Sequence, residues 1–453
     1  MNLTLDWNAY LETAAQAAAE GIVMLKNDHH TLPLQQQEEI SVFGRMQLHY
    51  YKSGTGSGGM VNVHRVIGIL DGLLEAGVNV NQGLLARYRQ WDSENPIQKA
   101  DGWAREPWSQ AEMPLSDADA ENAAKTSETA ICIIARTAGE EQDSFDNEGS
   151  FRLTKTEMKM LQTVRRYFKK MIVLLNVGNL IDMTEIAEVD PDAILYVWQG
   201  GMMGGKGAAA VLTGQISPSG KLPDTAALAL SDYPSDANFG NTERNFYQED
   251  IYVGYRYFET AAQDKVRYPF GFGLSYTSFS LENIASAFKN DTFTFQIKVT
   301  NTGDMAGKEV VQVYCECPQG SLGKPKRILC GFQKTKLLAP QESEIVGIRV
   351  DLDALASYDD CGATEYRFCK VLEAGKYQFH IGTDVRRTSL CLTHEIPFTM
   401  VRSVHQQAMA PVLPFTRMKP IETENGLKMT DEPVPLMEYS EENRGESIIY
   451  SSR

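Results

Sequence analysis

At 453 residues the chain is too long for one hydrophobic core and divides into two or three domains. Its 43% hydrophobic and 23% charged residues suit packed globular cores, and no window approaches the roughly 20 consecutive apolar residues of a membrane span. A formal net charge of -16 opposes the phosphates of nucleic acid and anionic lipid, so neither is an expected partner and a neutral substrate suits the surface best.

From the first residues, Met1 to Asn27, no basic stretch leads into an apolar run, which predicts a cytoplasmic protein without a secretory signal. Apolar strand candidates follow at 40–43, 78–80, 130–135, 172–176 and 193–197, separated by helical patterns. This alternation predicts a mostly parallel sheet with helices on both faces. Thr154 with Glu157 makes a capping box ahead of Met158, Met160, Leu161 and Val164, so a helix is expected to run to Tyr167 with that apolar face on the sheet.

Lys52-Ser53-Gly54-Thr55-Gly56-Ser57-Gly58-Gly59 is the most glycine-dense run, and its backbone can approach a ligand closely. Gly54, Gly56 and Gly59 fit GxGxxG, with an apolar helix expected from His64, but the acid of a dinucleotide site is missing about twenty residues later. A substrate-facing loop is the better reading. Gly201 to Gly207 falls one residue short of a phosphate loop and lacks its Ser or Thr, so it reads as a turn before a helix over 208–212. The seven histidines form no HExxH and accompany no GxSxG elbow; His49 and His64 flank the glycine loop.

The segment Thr129 to Asp143 carries the clearest chemistry. A doubly buried strand runs into Arg136 and then a loop with Gly139, Glu140, Glu141 and Asp143, where an open α/β sheet places its site. Crowded carboxylates are expected to raise the pKa of at least one of them, a useful property in a general acid, although solvated acidic loops are common.

After a Gly, Pro and aromatic connector the period changes to two. Phe293, Phe295, Ile297 and Val299 face one way, Asn301-Thr302-Gly303 turns the chain, and Val311, Val313, Cys315 and Cys317 alternate next. Strands at 346–350 and 377–381 complete the pattern of an antiparallel sandwich of immunoglobulin or fibronectin type. Six of the seven cysteines lie beyond residue 300 and read as reduced thiols; no paired CxxC or CxxH spacing marks a metal. From Pro411 on, five prolines and many charges without a period read as linker or tail. The expected division is an α/β domain over 1–240, a connector over 241–284, a β-sandwich over 285–400 and a linker or tail over 401–453.

Several separated stretches together resemble glycoside hydrolase family 3, the β-glucosidases and their relatives. They are Ala19 to Asn27 with Leu32-Pro33-Leu34, Gly54 to Gly58, Arg136 to Glu140, Ile172 to Asn176, Trp198-Gln199-Gly200, Pro218 to Pro223, Tyr252 to Tyr257 and Pro269 to Tyr276. The resemblance implies a three-layer α/β sandwich with a mostly parallel sheet, followed by a fibronectin type III-like (immunoglobulin-like) sandwich. It implies retaining hydrolysis of a β-linked glucoside or oligosaccharide without a cofactor or metal, in which a glutamic acid of the α/β sandwich is acid and then base. The family's Gly-Glu pair falls on Gly139 and Glu140, making Glu140 the acid/base with Glu141 as the neighbouring alternative, whose charge would shift Glu140 upward. Lys52, Gly54, Thr55, Gly56, Ser57, Arg136 and Asp143 are the expected substrate-binding residues, although Ser144 stands where the family's Asp-Arg pair has its arginine.

The family's nucleophile resides on a (β/α)8 barrel, which needs about 250 residues that the chain does not offer. Residues 411–420 resemble the linker into such a barrel in members with reversed domain order. The expectation is a chain supplying the acid/base half of the site, inactive alone, with the barrel contributed by a missing segment or a separate chain. The rival expectation is a carbohydrate-binding or scaffolding protein derived from such an enzyme.

Overall fold

The computed structural model describes residues 5–59, 61–140, 143–407, 410–424 and 426–438. In chain order the first unit holds α1 (Trp7–Gly21), β1 (Val23–Asn27), β2 (Glu39–Phe43), α2 (Ile69–Glu75), β3 (Asn79–Val80), α3 (Gln82–Glu94) and α4 (Asp117–Ala124). It continues with β4 (Thr129–Arg136), α5 (Lys155–Tyr167), β5 (Lys170–Val177), α6 (Met183–Val189), β6 (Ala193–Tyr196) and α7 (Gly204–Leu212). The six strands form one sheet in the order β1-β6-β5-β4-β2-β3. All neighbours are parallel except β1, which pairs antiparallel with β6 at the edge.

β4 shows why the sheet is sandwiched. Every one of its residues is buried, and alternate side chains enter different cores. Ala130, Cys132 and Ile134 pack with Met160, Leu161 and Val164 of α5 and with α6 on one face. Ile131, Ile133 and Ala135 pack with Ile69, Leu70 and Leu73 of α2 and with Ala208 to Leu212 of α7 on the other. This is the expected three-layer arrangement, and the Thr154–Glu157 capping box opens α5 as expected.

Two local readings change. The glycines before residue 208 make no simple turn, since α7 begins at Gly204 and runs through them. A Cβ on Gly205 would lie 1.8 Å from the Gly68 carbonyl oxygen, so a glycine there lets α7 lie directly against the backbone entering α2. The helix expected from His64 starts only at Ile69, and the His64 ring stacks on Trp7 at 4.7 Å.

Between the units lie β7 (Ala226–Ala227), α8 (Tyr255–Ala261) and β8 (Val266–Tyr268). The second unit contains β9 (Phe279–Lys289), β10 (Thr292–Asn301), β11 (Val310–Glu316), β12 (Ile328–Lys334), β13 (Ser343–Asp351), β14 (Ser357–Asp359), β15 (Cys369–Leu372), β16 (Gly375–Gly382), β17 (Thr388–Ile396) and β18 (Met400–Val404). Sheet β13-β10-β9 packs on sheet β12-β11-β16-β17, with β14-β15-β18 beside them. Their shared core holds the alternating Phe293, Phe295, Ile297 and Val299 together with Val311, Val313, Cys315 and Cys317.

The stretch expected as a tail forms a hairpin, β19 (Thr416–Thr423) and β20 (Gly426–Pro433), while residues 439–453 lie outside the described part. What organises the hairpin is charge: Arg417 reaches Glu432 at 2.9 Å and both carboxylate oxygens of Asp360 at 2.6 and 2.8 Å. Among the described residues no helix is long and apolar enough to cross a membrane, and no (β/α)8 barrel is formed.

Candidate active site

Strand order fixes where the site falls. From β2 the chain continues to β3 on one side of the sheet, whereas β4, β5 and β6 lie on the other, so the connections after β2 and β4 part at a topological switch point. The glycine loop follows β2 and the acidic loop follows β4. They meet there: the Thr55 N–H donates to the Ala138 carbonyl at 2.6 Å, and Thr55 bridges Gly139 in parallel, continuing the β2–β4 pairing beyond the sheet.

The contact depends on glycine at two places. Gly56 has φ +73°, and a Cβ there would lie 2.4 Å from the Glu140 Cβ. Gly139 has φ +138°, and its Cβ would lie 2.6 Å from the Thr55 nitrogen. With both positions open, the Ser57 N–H donates to Glu140 Oε2 at 3.0 Å and the Ser57 hydroxyl to the same oxygen at 2.9 Å. The Thr55 hydroxyl donates to the Glu140 carbonyl at 3.3 Å. Glu140 is exposed at the surface of the crevice.

These bonds decide its charge. The Ser57 N–H first, and then its hydroxyl, favour the ionised form and hold the Glu140 carboxyl below its ordinary value. The sequence reading expected an upward shift from neighbouring carboxylates. For Glu140 the structure gives the opposite direction, because an exposed carboxylate is solvated by water and gains two donors besides. Glu141, the alternative acid/base, lies outside the described residues.

The other expected site residues separate into three groups. Gly54 backs the contact, packing against the Ala138 carbonyl, while the Lys52 ammonium closes the loop on itself by donating to the Ser53 hydroxyl at 3.0 Å and the Gly59 carbonyl at 3.3 Å. Asp143 is exposed three residues beyond Glu140 and lines an adjoining cleft of about 420 Å³ with Asn179, Trp198 and Phe239. Arg136 corrects the expectation, because it does not face the crevice. It is 1% exposed and lies beneath the loop, bonded through both terminal nitrogens to Glu157 at 2.7 Å and to the Ser150 and Arg152 carbonyls. A guanidinium so occupied holds the loop floor and has no donor to spare for a substrate. His49 likewise turns away, to Asp92 at 2.8 Å.

Two supporting residues were not singled out by spacing. Asn176 at the end of β5 is fully buried and cross-links three segments. Its amide donates to the Tyr51 and Trp198 carbonyls at 3.0 and 2.6 Å and accepts the Tyr51 N–H at 3.0 Å. Tyr50 accepts the Gly200 N–H at 2.8 Å, and burial pushes its phenol up to about 12, so it stays neutral. A buried amide at a strand end was the available signal in the sequence for Asn176; nothing local marked Tyr50.

A sequence model of the Glycosyl hydrolase family 3 C-terminal domain matches residues 22–276, and one of the Fibronectin type III-like domain matches residues 309–385. A β-glucosidase of Ruminococcus albus is 53% identical over 432 residues, 95% of this chain and 45% of that protein. β-Glucosidase A of Butyrivibrio fibrisolvens is 37% identical over 94% of this chain and 56% of its own length. Among solved structures, a β-glucosidase from Paenibacillus barengoltzii superposes with a TM-score of 0.94 at 47% identity, covering 97% of this chain and 49% of that one. β-Glucosidase 3B from Thermotoga neapolitana, solved with α-D-glucose, superposes at 0.80 with 36% identity over 88% of this chain and 55% of its own. The chain thus spans about half the length of the relatives it matches. With the α/β unit, the β-sandwich and the matched sequence model in agreement, the chain belongs to glycoside hydrolase family 3.

Proposed function

We propose that this chain supplies the acid/base half of a retaining β-glucosidase acting on a β-linked glucoside or oligosaccharide. Glu140 protonates the leaving oxygen and then activates water; a nucleophilic carboxylate about 5 to 5.5 Å away comes from a (β/α)8 barrel in a further segment or a separate chain. The observation that carries this reading is the placement of Glu140 at the switch point, oriented by two Ser57 donors on one carboxylate oxygen. The names of the R. albus and B. fibrisolvens relatives support the choice of substrate. In the open crevice Glu140 is ionised. A barrel wall closing over it would strip away water and raise its pKa towards that of a working acid. The chemistry calls for neither metal nor cofactor.

The isolated chain is expected to turn over no aryl β-glucoside. Joined to a family barrel it gains activity, which Glu140→Gln lowers by roughly 100-fold or more for poor leaving groups and far less for good ones, since only the former need the proton. A Glu140→Gln loss that ignores leaving-group pKa, or activity in the isolated chain, counts against the assignment.

A further inference from the structure

A cavity of about 470 Å³ lies away from the crevice, between α8, strands β14 and β15 of the second unit, and the β19–β20 hairpin. Its size is that of a small-ligand site. We propose that it binds a small phosphate monoester, whose phosphoryl oxygens are taken by Arg256, Lys370 and the Tyr252 hydroxyl. The site is independent of Glu140 and of the role given to it.

Charge is the first indication. The chain carries -16 overall, yet five cations and only three carboxylates line this cavity. The carboxylates are already committed. Arg417 bonds both oxygens of Asp360, lies 3.5 Å from Asp250 and shares Glu432 with Lys419, which reaches it at 2.9 Å. Lys324, 1% exposed, has Glu373 at 3.6 Å and the Ser357 hydroxyl beside it. Arg256 on α8 and Lys370 on β15 are left over, and neither has an ion-pair partner among the described residues. Arg256 is also half-buried, and a guanidinium partly withdrawn from water gains most from an anion that accepts two of its N–H groups.

A buried hydroxyl is the second. Tyr252 is 2% exposed, and its phenol oxygen has no hydrogen-bond partner among the described residues, although buried phenols ordinarily find one. A Cβ on Gly323, which also lines the cavity, would lie 3.4 Å from that oxygen, so the hydroxyl stands at the cavity wall. Burial pushes the phenol up and keeps its proton in place, which makes it a donor.

Other ligand classes fit less well. A neutral sugar leaves both cations unpaired. A metal ion would use Asp359, Asp360 and Cys361, the convergent ligand group among the described residues. Asp359, however, already accepts the Gly362 and Thr364 N–H groups at 2.6 and 2.8 Å, and Asp360 holds Arg417. A phosphate monoester carries nearly two negative charges at neutral pH and offers three acceptor oxygens, and the volume leaves room for the organic group behind them. Bound there, it ties the connector that carries Tyr252 and Arg256 to the β-sandwich that carries Lys370.

The test is isothermal titration calorimetry on the full chain with glucose 6-phosphate, inorganic phosphate and glucose. Glucose 6-phosphate is expected to bind with a submillimolar Kd and inorganic phosphate more weakly, while any heat from glucose is indifferent to Arg256 and Lys370. Arg256→Gln and Lys370→Gln each weaken the hexose phosphate about tenfold, and Tyr252→Phe, which keeps the ring, about threefold. Lys159→Gln on the exposed side of α5 and Glu140→Gln leave it unchanged. No heat from the hexose phosphate at millimolar concentration, or binding unchanged by both Arg256→Gln and Lys370→Gln, overturns the proposal. So does equal weakening in Lys159→Gln, which marks diffuse attraction, or loss in Glu140→Gln, which places the hexose in the crevice. Inorganic phosphate that binds as tightly as glucose 6-phosphate overturns the monoester in favour of the free anion.

Discussion

Glu157 holds two positions at once. One of its oxygens caps α5 through the Thr154 N–H at 2.8 Å, and both receive the buried Arg136 guanidinium at 2.7 Å. Glu157→Gln leaves that guanidinium without a counter-charge, and a loss of about 3 kcal/mol is expected from urea unfolding. Thr154→Ala removes only the hydroxyl cap and should cost about 1 kcal/mol. Spacing revealed the capping box because both partners sit three residues apart. It hid the ion pair because Arg136 reaches Glu157 only once β4 and α5 have packed, and Arg136 therefore read as a ligand. Glu112 is a second buried carboxylate: burial chiefly, with the Glu157 charge, pushes it up to about 8 against the N–H groups of Arg45 and Met113. Since its folded pKa exceeds its ordinary 4.5, the native state keeps a proton that the unfolded state has released. This group therefore lowers stability as pH rises from 4.5 to 8. Glu112→Gln is expected to flatten that slope, seen in urea midpoints at pH 5 and 8.

At the scale of elements, the crevice is built from the ends of β2, β4, β5 and β6, and its precision depends on loop-to-loop bonds that no single element contains. Gly56→Ala forces a Cβ against Glu140 at a φ of +73°. The exposed loop can shift to relieve most of that strain, about 1 to 2 kcal/mol if it stayed in place, so thermal stability should fall less than the activity of the barrel-joined enzyme, which drops with Glu140 displaced. Asn176→Ala acts oppositely. It orphans buried backbone groups at Tyr51 and Trp198 and should cost about 2 kcal/mol, with the melting point falling alongside activity. Strand positions and the change of period at the second unit were legible because burial imposes them residue by residue. Antiparallel β1, the start of α7 at Gly204 and the 416–433 hairpin were not. An edge strand shows no distinct period, glycines that permit helix contact resemble glycines that permit turns, and the hairpin is fastened by Arg417 to Asp360, far away in sequence.

For the molecule as a whole, the two units are joined by charge at one seam. Glu20 of α1 accepts the ammonium groups of Lys308 and Lys334 from the β-sandwich at 2.5 and 3.1 Å, and Lys221 meets Glu309 at 2.8 Å. Burial alone would raise the Glu20 carboxyl, but the hydrogen bonds from Lys308, Gln16 and Lys334 outweigh it and bring the group down to about 2. A carboxyl whose folded pKa lies below its ordinary 4.5 stabilises the joined form above that pH and loses the contribution as pH falls towards 2. The seam should therefore weaken in acid before either core does. At neutral pH the units share the backbone contacts of the connector and the Gln312 amide, which donates to Gly271 and Thr383 carbonyls at 3.2 and 2.6 Å, so calorimetry should show one transition. Glu20→Gln removes the negative partner of two lysines without touching either core, and should separate the two melting events at pH 7 as acid does in the wild type. The comparison distinguishes the seam from general acid unfolding. If Glu20→Gln melts as one unit while the wild type still splits below pH 4.5, other carboxylates govern the joint and Glu20 is incidental to it.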